Sequence, residues 1–250
     1  MKFRKIIITF SAVILAIGAV SCKKDDTIYY NNMTMGNIVE GRFISDQGNI
    51  FNVVEQTCAG RVDTMSRAIM VCDVLNVTSG EDKEYDVRVK QLAKVLTKHP
   101  LTTAEATGDA EQCDPIHLSE LWYSGGYINM YIQVPLNKNN KTKHLINLVY
   151  DMAEDGSYIF ELRHNAFGDT ASNIGSSLIF GGNYVSFPIV DILGKNSAKI
   201  IVRWKWYEAD VNGYGWSGTE KVFNIEYNWK REGFEQVPAT LALRSENIGR

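Results

Sequence analysis

A persistent two-residue alternation of apolar and other side chains constrains the fold of this chain more than any other feature. In the stretch YINMYIQV, Ile128, Met130, Ile132 and Val134 fall on one face and tyrosine or amide side chains on the other. Successive side chains of a strand point to opposite faces of a sheet, so this pattern predicts a half-buried strand. The same alternation recurs in KHLINLVYDM, SYIFELRHN, AKIIVRWKW and KVFNIEYNW. These segments, separated by turn sequences, predict an all-β fold.

The predicted strands form two groups, separated by a polar segment that contains Gly108. The first group has about five strands and suits a small Greek-key barrel of the OB type. It also contains QLAKVLTKHP, which is either a short helix or an irregular strand end. The second group has about seven strands and suits an antiparallel β-sandwich. We therefore predict an OB-like barrel over residues 36–108, a sandwich over 109–230 and a C-terminal tail over 231–250.

The beginning of the chain has the form of a lipoprotein signal. Residues 1–5 are basic, residues 6–20 are apolar and uncharged, and AVSC then ends in Cys22. The apolar run is shorter than the roughly 20 residues that cross a bilayer, so we predict a signal peptide over residues 1–21. AVSC resembles the lipobox of bacterial lipoproteins, in which the cysteine receives a diacylglycerol. Several acyl chains anchor a protein stably, so Cys22 is expected to hold a tether of residues 22–35 at the membrane.

The charged residues after the cysteine bear on the side of the membrane that the protein faces. Lys23, Lys24, Asp25 and Asp26 resemble the export signal that takes Bacteroidetes lipoproteins to the outside of the outer membrane. A charged, solvated tether is the other interpretation, which leaves a periplasm-facing orientation open. The Asp-Thr sequences of the chain resemble the Bacteroidetes O-glycosylation motif, with candidate acceptors Thr27, Thr64 and Thr170.

Charge and cysteine content exclude some classes of function. Removal of the signal's three basic residues, Lys2, Arg4 and Lys5, takes the formal net charge from −3 to −6. An acidic protein gains nothing from counterion release, so nucleic acid is not an expected partner. Three further cysteines cannot all pair within one chain. If a disulfide forms, Cys58–Cys113 is the expected pair, because the phase of AIMVCDV predicts that Cys72 is a buried apolar thiol.

Several segments in sequence together resemble one known family. They are GRFISDQGNIFNVVEQ, RVDTMSRAIMV, LWYSGGYINMYIQV, HLINLVYD, FELRHNAFGD and YVSFPI. In this order they resemble the NigD-like lipoproteins of Bacteroidetes, over residues 36–229. The resemblance implies an N-terminal OB-like domain and a C-terminal β-sandwich domain. It also implies the possibility of a bacteriocin-immunity-like role, since the founding member is associated with a bacteriocin operon, and it supplies no catalytic residue.

One polar cluster stands out among the side chains that could carry chemistry. Arg163, His164, Asn165 and Asp169 lie close together in LRHNAFGD and could hold a polar ligand at a strand end. The alternative, which we favour, is a hydrogen-bonded network that fixes the following turn. The four histidines show none of the H-x-H, H-x-x-x-H or H-E-x-x-H spacings of metal sites, so no metal is expected. Neither a G-x-S-x-G elbow nor a glycine-rich phosphate loop is present, so no cofactor is expected.

Aromatic side chains suggest a second kind of site. Trp122, Tyr123, Tyr127 and Tyr131 form one group in the sequence, and aromatic faces can stack on sugars. A second group surrounds NGYGWSG, which reads as a hairpin tip that exposes Tyr214 and Trp216. Sandwich cores also need large side chains, and the phase of Trp204 with Val202 predicts that this tryptophan is buried.

These observations predict a non-catalytic outer-membrane lipoprotein at the cell surface that binds an unidentified protein or glycan. Its contact with the membrane is expected through the N-terminal lipid. A periplasm-facing structural or accessory envelope subunit is the alternative. A hydrolase is a third reading, because a chain with 29 acidic residues could assemble a catalytic carboxylate pair that sequence spacing does not reveal.

Overall fold

The computed structural model describes residues 28–62, 65–139, 142–193, 198–210 and 213–225, with side chains described from Met33 to Lys205. Within these residues the regular structure is almost entirely β-strand, which confirms the predicted all-β class. No helix in this part of the chain is long and apolar enough to cross a membrane. The predicted signal peptide, Cys22, the four charged residues after it, Thr27, Thr64 and the tail over 231–250 lie outside the described residues.

The first domain is a closed five-stranded barrel with the strand order β1-β2-β3-β5-β4, which confirms the OB-like prediction. Its strands are β1 (Ile28–Val39), β2 (Arg42–Ser45), β3 (Ile50–Gln56), β4 (Arg67–Ser79) and β5 (Glu84–Lys94). All pairings are antiparallel except β3 with β5. The barrel core is built around Phe43, Phe51, Met70 and Val87, and Cys72 is fully buried in it, as predicted.

The second domain is a sandwich of two sheets, with strand orders β14-β13-β11-β10-β7 and β6-β12-β9-β8. Its strands are β6 (Leu96–Thr97), β7 (Leu101–Thr102), β8 (His117–Ser124), β9 (Tyr127–Asn137), β10 (Leu145–Met152), β11 (Tyr158–Asn165), β12 (Leu178–Pro188), β13 (Ala198–Asp210) and β14 (Gly213–Ile225). Two short helices, α1 (Ala171–Ile174) and α2 (Val190–Leu193), connect strands. The sandwich is mainly antiparallel, but β7, β6 and β13 each pair parallel to a neighbour.

The core of the sandwich follows the predicted alternation. Ile128, Met130 and Ile132 of β9 pack against Phe160 and Leu162 of the facing sheet. Trp204 belongs to the same cluster and is 5% exposed, so its predicted place in the core is confirmed. The face of β9 that carries Asn129 and Tyr131 is therefore the outer face of its sheet.

The domain limits differ from the predicted ones at both ends of the barrel. Residues 28–35 were expected in the tether, but they form part of β1, where Tyr29 pairs with Asp73 of β4. The predicted boundary at residue 108 lies too late, because β6 and β7 already pair with sandwich strands. QLAKVLTKHP is extended rather than helical, since β5 runs to Lys94 and β6 follows directly.

Candidate functional site

Arg67, the first residue of β4, forms the centre of a buried junction between the two domains. Its side chain is 1% exposed. The guanidinium donates two parallel hydrogen bonds to the Asp46 carboxylate of the barrel, from Nη1 to Oδ1 at 2.9 Å and from Nη2 to Oδ2 at 2.8 Å. Toward the sandwich, Nη2 donates to Asn129 Oδ1 at 2.9 Å and Nε donates to Ser186 Oγ at 3.0 Å. The fifth N–H donates to Asn37 Oδ1 at 3.1 Å, so all five guanidinium donors have an acceptor.

The acceptors of Arg67 are themselves held by further hydrogen bonds from the sandwich. Ser124 Oγ donates to Asp46 Oδ2 at 2.6 Å, and Ser186 Oγ donates to Asn129 Oδ1 at 2.7 Å. The ring of Tyr127 lies against the guanidinium, with its centroid 3.8 Å from the Arg67 Cζ atom. We call this network of Arg67, Asp46, Asn129, Ser186 and Ser124 the Arg67 junction. Loss of either partner of a buried, fully hydrogen-bonded ion pair strongly destabilises the folded protein.

The turn between β8 and β9 places the sandwich side of the junction against the barrel. Gly125 and Gly126 both have positive φ, 57° and 82°, which suits a two-residue hairpin turn. A Cβ atom on Gly125 would collide with the Asp46 carboxylate. Glycine is therefore required here both by the backbone conformation and by the close approach of the two domains.

An apolar cluster continues the contact between the domains beside the junction. Met35, Ile69 and Val95 are buried together, and the rings of Trp122 and Tyr184 pack against them. Two of these residues belong to strands of the barrel and two to strands of the sandwich. The polar and apolar contacts together join the two domains into one packed unit.

The outer face of the four-stranded sheet carries a row of aromatic side chains beyond the junction. The strand register places Glu120, Tyr131 and Tyr184 side by side, and His117, Gln133 and Gly182 side by side in the following row. We call these residues, together with Trp122, the aromatic face. Its rings are half-buried, whereas Glu120 and Gly182 are exposed.

The rings of the aromatic face contact one another. The centroids of Tyr131 and Tyr184 are 4.7 Å apart, and Trp122 meets Tyr184 edge-on at 6.2 Å. A Cβ atom on Gly182 would collide with the phenol of Tyr131, so this ring crosses the backbone of β12 at Gly182. Burial and the nearby Glu120 carboxylate raise the pKa of Tyr184. Its hydroxyl therefore remains protonated and can donate a hydrogen bond at neutral pH.

A second buried polar cluster lies at the end of β11 and contains two histidines. His164 is 1% exposed, and its Nε2 atom lies 2.8 Å from Nδ1 of His144. Its other nitrogen, Nδ1, lies 3.1 Å from the carbonyl oxygen of Pro115. On the far side, His144 Nε2 lies 3.6 Å from Asp169 Oδ2. We call His144, His164 and Asp169 the histidine cluster.

The hydrogen-bond geometry assigns the tautomers of this cluster. A carbonyl can only accept, so His164 Nδ1 carries a proton and donates to Pro115. His164 Nε2 is then an acceptor, and His144 Nδ1 must donate to it. In neutral His144 the remaining lone pair on Nε2 faces the Asp169 carboxylate, and this nitrogen has no hydrogen-bond partner. One added proton at His144 Nε2 would complete the series of hydrogen bonds.

Burial is the main influence on the protonation of both histidines. It lowers the pKa of His164 to about 4, and the neighbouring His144 adds to this effect. Burial also lowers the pKa of His144, although the carboxylates of Asp169 and Asp114 oppose that change. Both rings are therefore neutral at pH 7. Among the described residues, no group of three or more His, Cys, Asp or Glu side chains is arranged to hold a metal ion.

The four side chains of the predicted strand-end site do not converge on a single point. His164 and Asp169 flank His144, but Arg163 Nε donates to Glu161 Oε1 at 3.1 Å on the same strand. Asn165 Oδ1 accepts from the backbone N–H of Phe167 at 2.8 Å, which fixes the following turn. The side chains of Arg163 and Asn165 thus make hydrogen bonds within the strand end and its turn. The sequence did not indicate His144, because it lies 20 residues from His164 and the two meet only through strand pairing.

Other sequence-predicted residues have the following positions. Tyr214 and Trp216 lie near the start of β14, where they pair with Ala209 and Tyr207 of β13. Their side chains are outside the described set, so their exposure stays a prediction. Thr170 precedes α1 and is half-buried.

The predicted Cys58–Cys113 disulfide is absent, since both cysteines are free. Cys58 belongs to the barrel, whereas the Cys113 thiol lies 3.8 Å from Glu161 of the sandwich. Burial raises the pKa of Cys113, which keeps its thiol protonated.

The fold and its joined domains define a two-domain, all-β protein in which an OB-like barrel packs on a β-sandwich. Residues 99–215 match the family of NigD-like C-terminal beta sandwich domains, which confirms the resemblance seen in the sequence. No curated protein matches the chain.

Solved structures with the same fold include three from Bacteroides species. A protein of unknown function from Bacteroides vulgatus has a TM-score of 0.57 and 19% identity, over 82% of this chain and 93% of its own. A NigD-like immunity protein from Bacteroides caccae has a TM-score of 0.53 and 20% identity, over 78% and 94%. A candidate lipoprotein from Bacteroides fragilis has a TM-score of 0.52 and 18% identity, over 78% and 96%. At these identities the likeness shows the fold.

Proposed function

We propose that the protein is a non-catalytic lipoprotein of the outer membrane, exposed at the cell surface, which acts by binding a partner. The observation that carries the proposal is the Arg67 junction, which joins the barrel and the sandwich into one unit. In this unit the most deeply buried polar groups hold structure together. The aromatic face is left on the outside as a surface suited to contact with a partner.

The sequence around Cys22 supports the lipid anchor. AVSC follows an uncharged apolar run, and KKDD follows the cysteine. The fold of this chain also occurs in a candidate lipoprotein, which agrees with an address in the envelope. Lipid attachment at the N-terminus would leave both β domains outside the bilayer.

Replacement of the acylated cysteine tests the anchor. We expect Cys22→Ala to move the protein from the membrane fraction to the soluble fraction, because the attachment point for the acyl chains is lost. Cys58→Ala is the matched control and should remain in the membrane fraction. A Cys22→Ala protein that is processed normally and stays membrane-bound would refute the lipid anchor.

Protease treatment of intact cells tests the surface location, with lysed cells as the control. We expect digestion of this chain in intact cells. A variant with alanine at Lys23, Lys24, Asp25 and Asp26 should remain membrane-bound but become protected until the cells are lysed. Protection of the wild-type chain until lysis would favour the periplasm-facing accessory subunit instead.

A bacteriocin-immunity-like role is a second candidate. One structural neighbour is described as a NigD-like immunity protein, and residues 99–215 of this chain match the NigD-like C-terminal beta sandwich domain. The corresponding test is the survival of cells with and without the gene when they are exposed to bacteriocins from neighbouring strains. Equal killing of both strains by every bacteriocin would argue against this role.

A further inference from the structure

We propose that the aromatic face is a binding site for a neutral glycan chain. This inference rests on the proposed function, because it names the partner of a protein that acts by binding. It concerns the outer surface of the sheet formed by β8, β9 and β12, next to the barrel. A protein is the competing occupant of this face, and glycan binding together with crosslinking from position 133 distinguishes a glycan from a protein.

The strand register builds the site in successive rows. Trp122, Asn129 and Ser186 form the first row, whose inner part is covered by the barrel through the Arg67 junction. Glu120, Tyr131 and Tyr184 form the second row, and His117, Gln133 and Gly182 form the third. Rows on one face are two residues apart, or about 7 Å. The face is therefore long enough for more than one sugar ring.

Gly182 determines how Tyr131 is presented. Glycine within a strand weakens the strand and often marks a close approach by another group. Here the approaching group is the phenol of Tyr131, which occupies the space that a side chain at position 182 would fill. The ring therefore extends across β12 at this position and remains half-buried. Such a broad, half-buried ring with a polar end is the kind of surface on which the apolar face of a sugar can stack.

The polar groups beside the rings match the hydroxyl groups of a sugar. The exposed Glu120 carboxylate can accept hydrogen bonds, and the Tyr184 hydroxyl, whose protonation the carboxylate favours, can donate one. The amide of Gln133 can do both. The described residues of these rows include no lysine or arginine; the third row contains His117, and the Glu120 carboxylate in the second row would repel an anionic glycan. The charge pattern therefore favours a neutral glycan over an acidic one.

The test is binding of the full-length, detergent-solubilised protein to an array of neutral and acidic glycans. We expect retention on at least one neutral glycan, with Tyr131→Ala and Tyr184→Ala each weakening the affinity about tenfold or more. Gly182→Ala keeps every ring but displaces Tyr131, so it should weaken binding too. Met152→Ala is the control, because Met152 is 64% exposed on the other sheet and should not affect binding. Circular dichroism of each variant separates loss of binding from loss of folding.

Four outcomes would overturn the glycan assignment. They are retention of no neutral glycan, retention of acidic glycans alone, equal affinity of folded Tyr131→Ala and wild type, and equal affinity of folded Gly182→Ala and wild type. A photocrosslinker at position 133 on intact cells gives a separate readout. Crosslinking to a protein there would overturn the glycan and leave the proposed function standing. Failure of the Cys22→Ala test would instead count against the lipid anchor of the proposed function and leave the glycan site standing.

Discussion

Two buried polar clusters of this molecule, the Arg67 junction and the histidine cluster, differ in how they satisfy their hydrogen bonds. In the junction, five N–H donors of one permanently charged side chain meet five acceptors, and a carboxylate balances the charge. In the histidine cluster, two neutral rings leave one nitrogen facing a carboxylate without a proton between them. Arginine does not titrate in proteins, whereas histidine titrates near neutrality. The comparison therefore predicts that mild acid destabilises the end of the sandwich that holds the histidine cluster.

The largest effect is expected from breaking the junction. Arg67→Leu leaves the Asp46 carboxylate buried without its cation, which should lower the free energy of unfolding by about 3–5 kcal/mol. Urea denaturation followed by tryptophan fluorescence measures this change. A loss below about 1 kcal/mol would show that the junction does not hold the domains together, since that is the range of an exposed ion pair.

The second effect concerns the pH dependence of the histidine cluster. Below pH 6.5 the unfolded chain protonates His164, but the folded chain does so only near pH 4, because burial lowers the pKa. Neutral His164 therefore makes its full contribution to the free energy of unfolding above pH 6.5. This contribution falls by about 3 kcal/mol as the pH drops toward 4. Urea midpoints between pH 7.5 and 4 should show this decline in the wild type and a flatter curve in His164→Gln. His99→Gln, which removes a histidine outside the cluster, is the control, and identical curves for all three proteins would contradict the account.

Comparison of two glycines measures the energetic effect of the close approach between the two domains. Gly125 and Gly48 both have positive φ, 57° and 80°, but only at Gly125 would a methyl group meet another residue, the Asp46 carboxylate. An alanine at either position carries a backbone cost of about 1–2 kcal/mol. We expect Gly125→Ala to be more destabilising than Gly48→Ala by a further 1–3 kcal/mol or so, as for overpacking. Thermal unfolding of the two variants makes the comparison, and equal midpoints would mean that the domains separate at little cost.

The smallest effect is expected from an ion pair at the surface of the barrel. Arg88 and Glu55 form a salt bridge with side chains 36% and 52% exposed. Arg88→Leu should therefore change stability by about 0.2–1 kcal/mol, because solvent and salt weaken exposed pairs. Urea denaturation in low and high salt measures this difference against Arg67→Leu. A loss as large as that of Arg67→Leu would show that burial is not what distinguishes the junction.

Sequence patterns predicted the parts of the fold that repeat along the chain. Alternation located the core side of β9 and the burial of Trp204 correctly. It could not reveal β6 and β7, because strands of two residues have no periodicity. The domain boundary was placed too late for this reason.

The Arg67 junction and the histidine cluster could not be predicted from the sequence for a different reason. Arg67 meets partners that are 21, 62 and 119 residues away, and a single arginine at a strand start has no distinguishing pattern. The sequence did place Tyr127 and Tyr131 in one aromatic group. The structure divides them between the guanidinium of Arg67 and the aromatic face, because the pairing with β12 and the barrel assigns each ring its neighbours.

Differential scanning calorimetry of the wild type and Arg67→Leu at neutral pH tests most directly whether the two domains form one unit. We expect a single transition for the wild type, with equal calorimetric and van't Hoff enthalpies. In Arg67→Leu we expect this transition to split into separate unfolding of the barrel and the sandwich. Two independent transitions in the wild type, or one unchanged transition in Arg67→Leu, would show that the Arg67 junction does not join the domains into one unit.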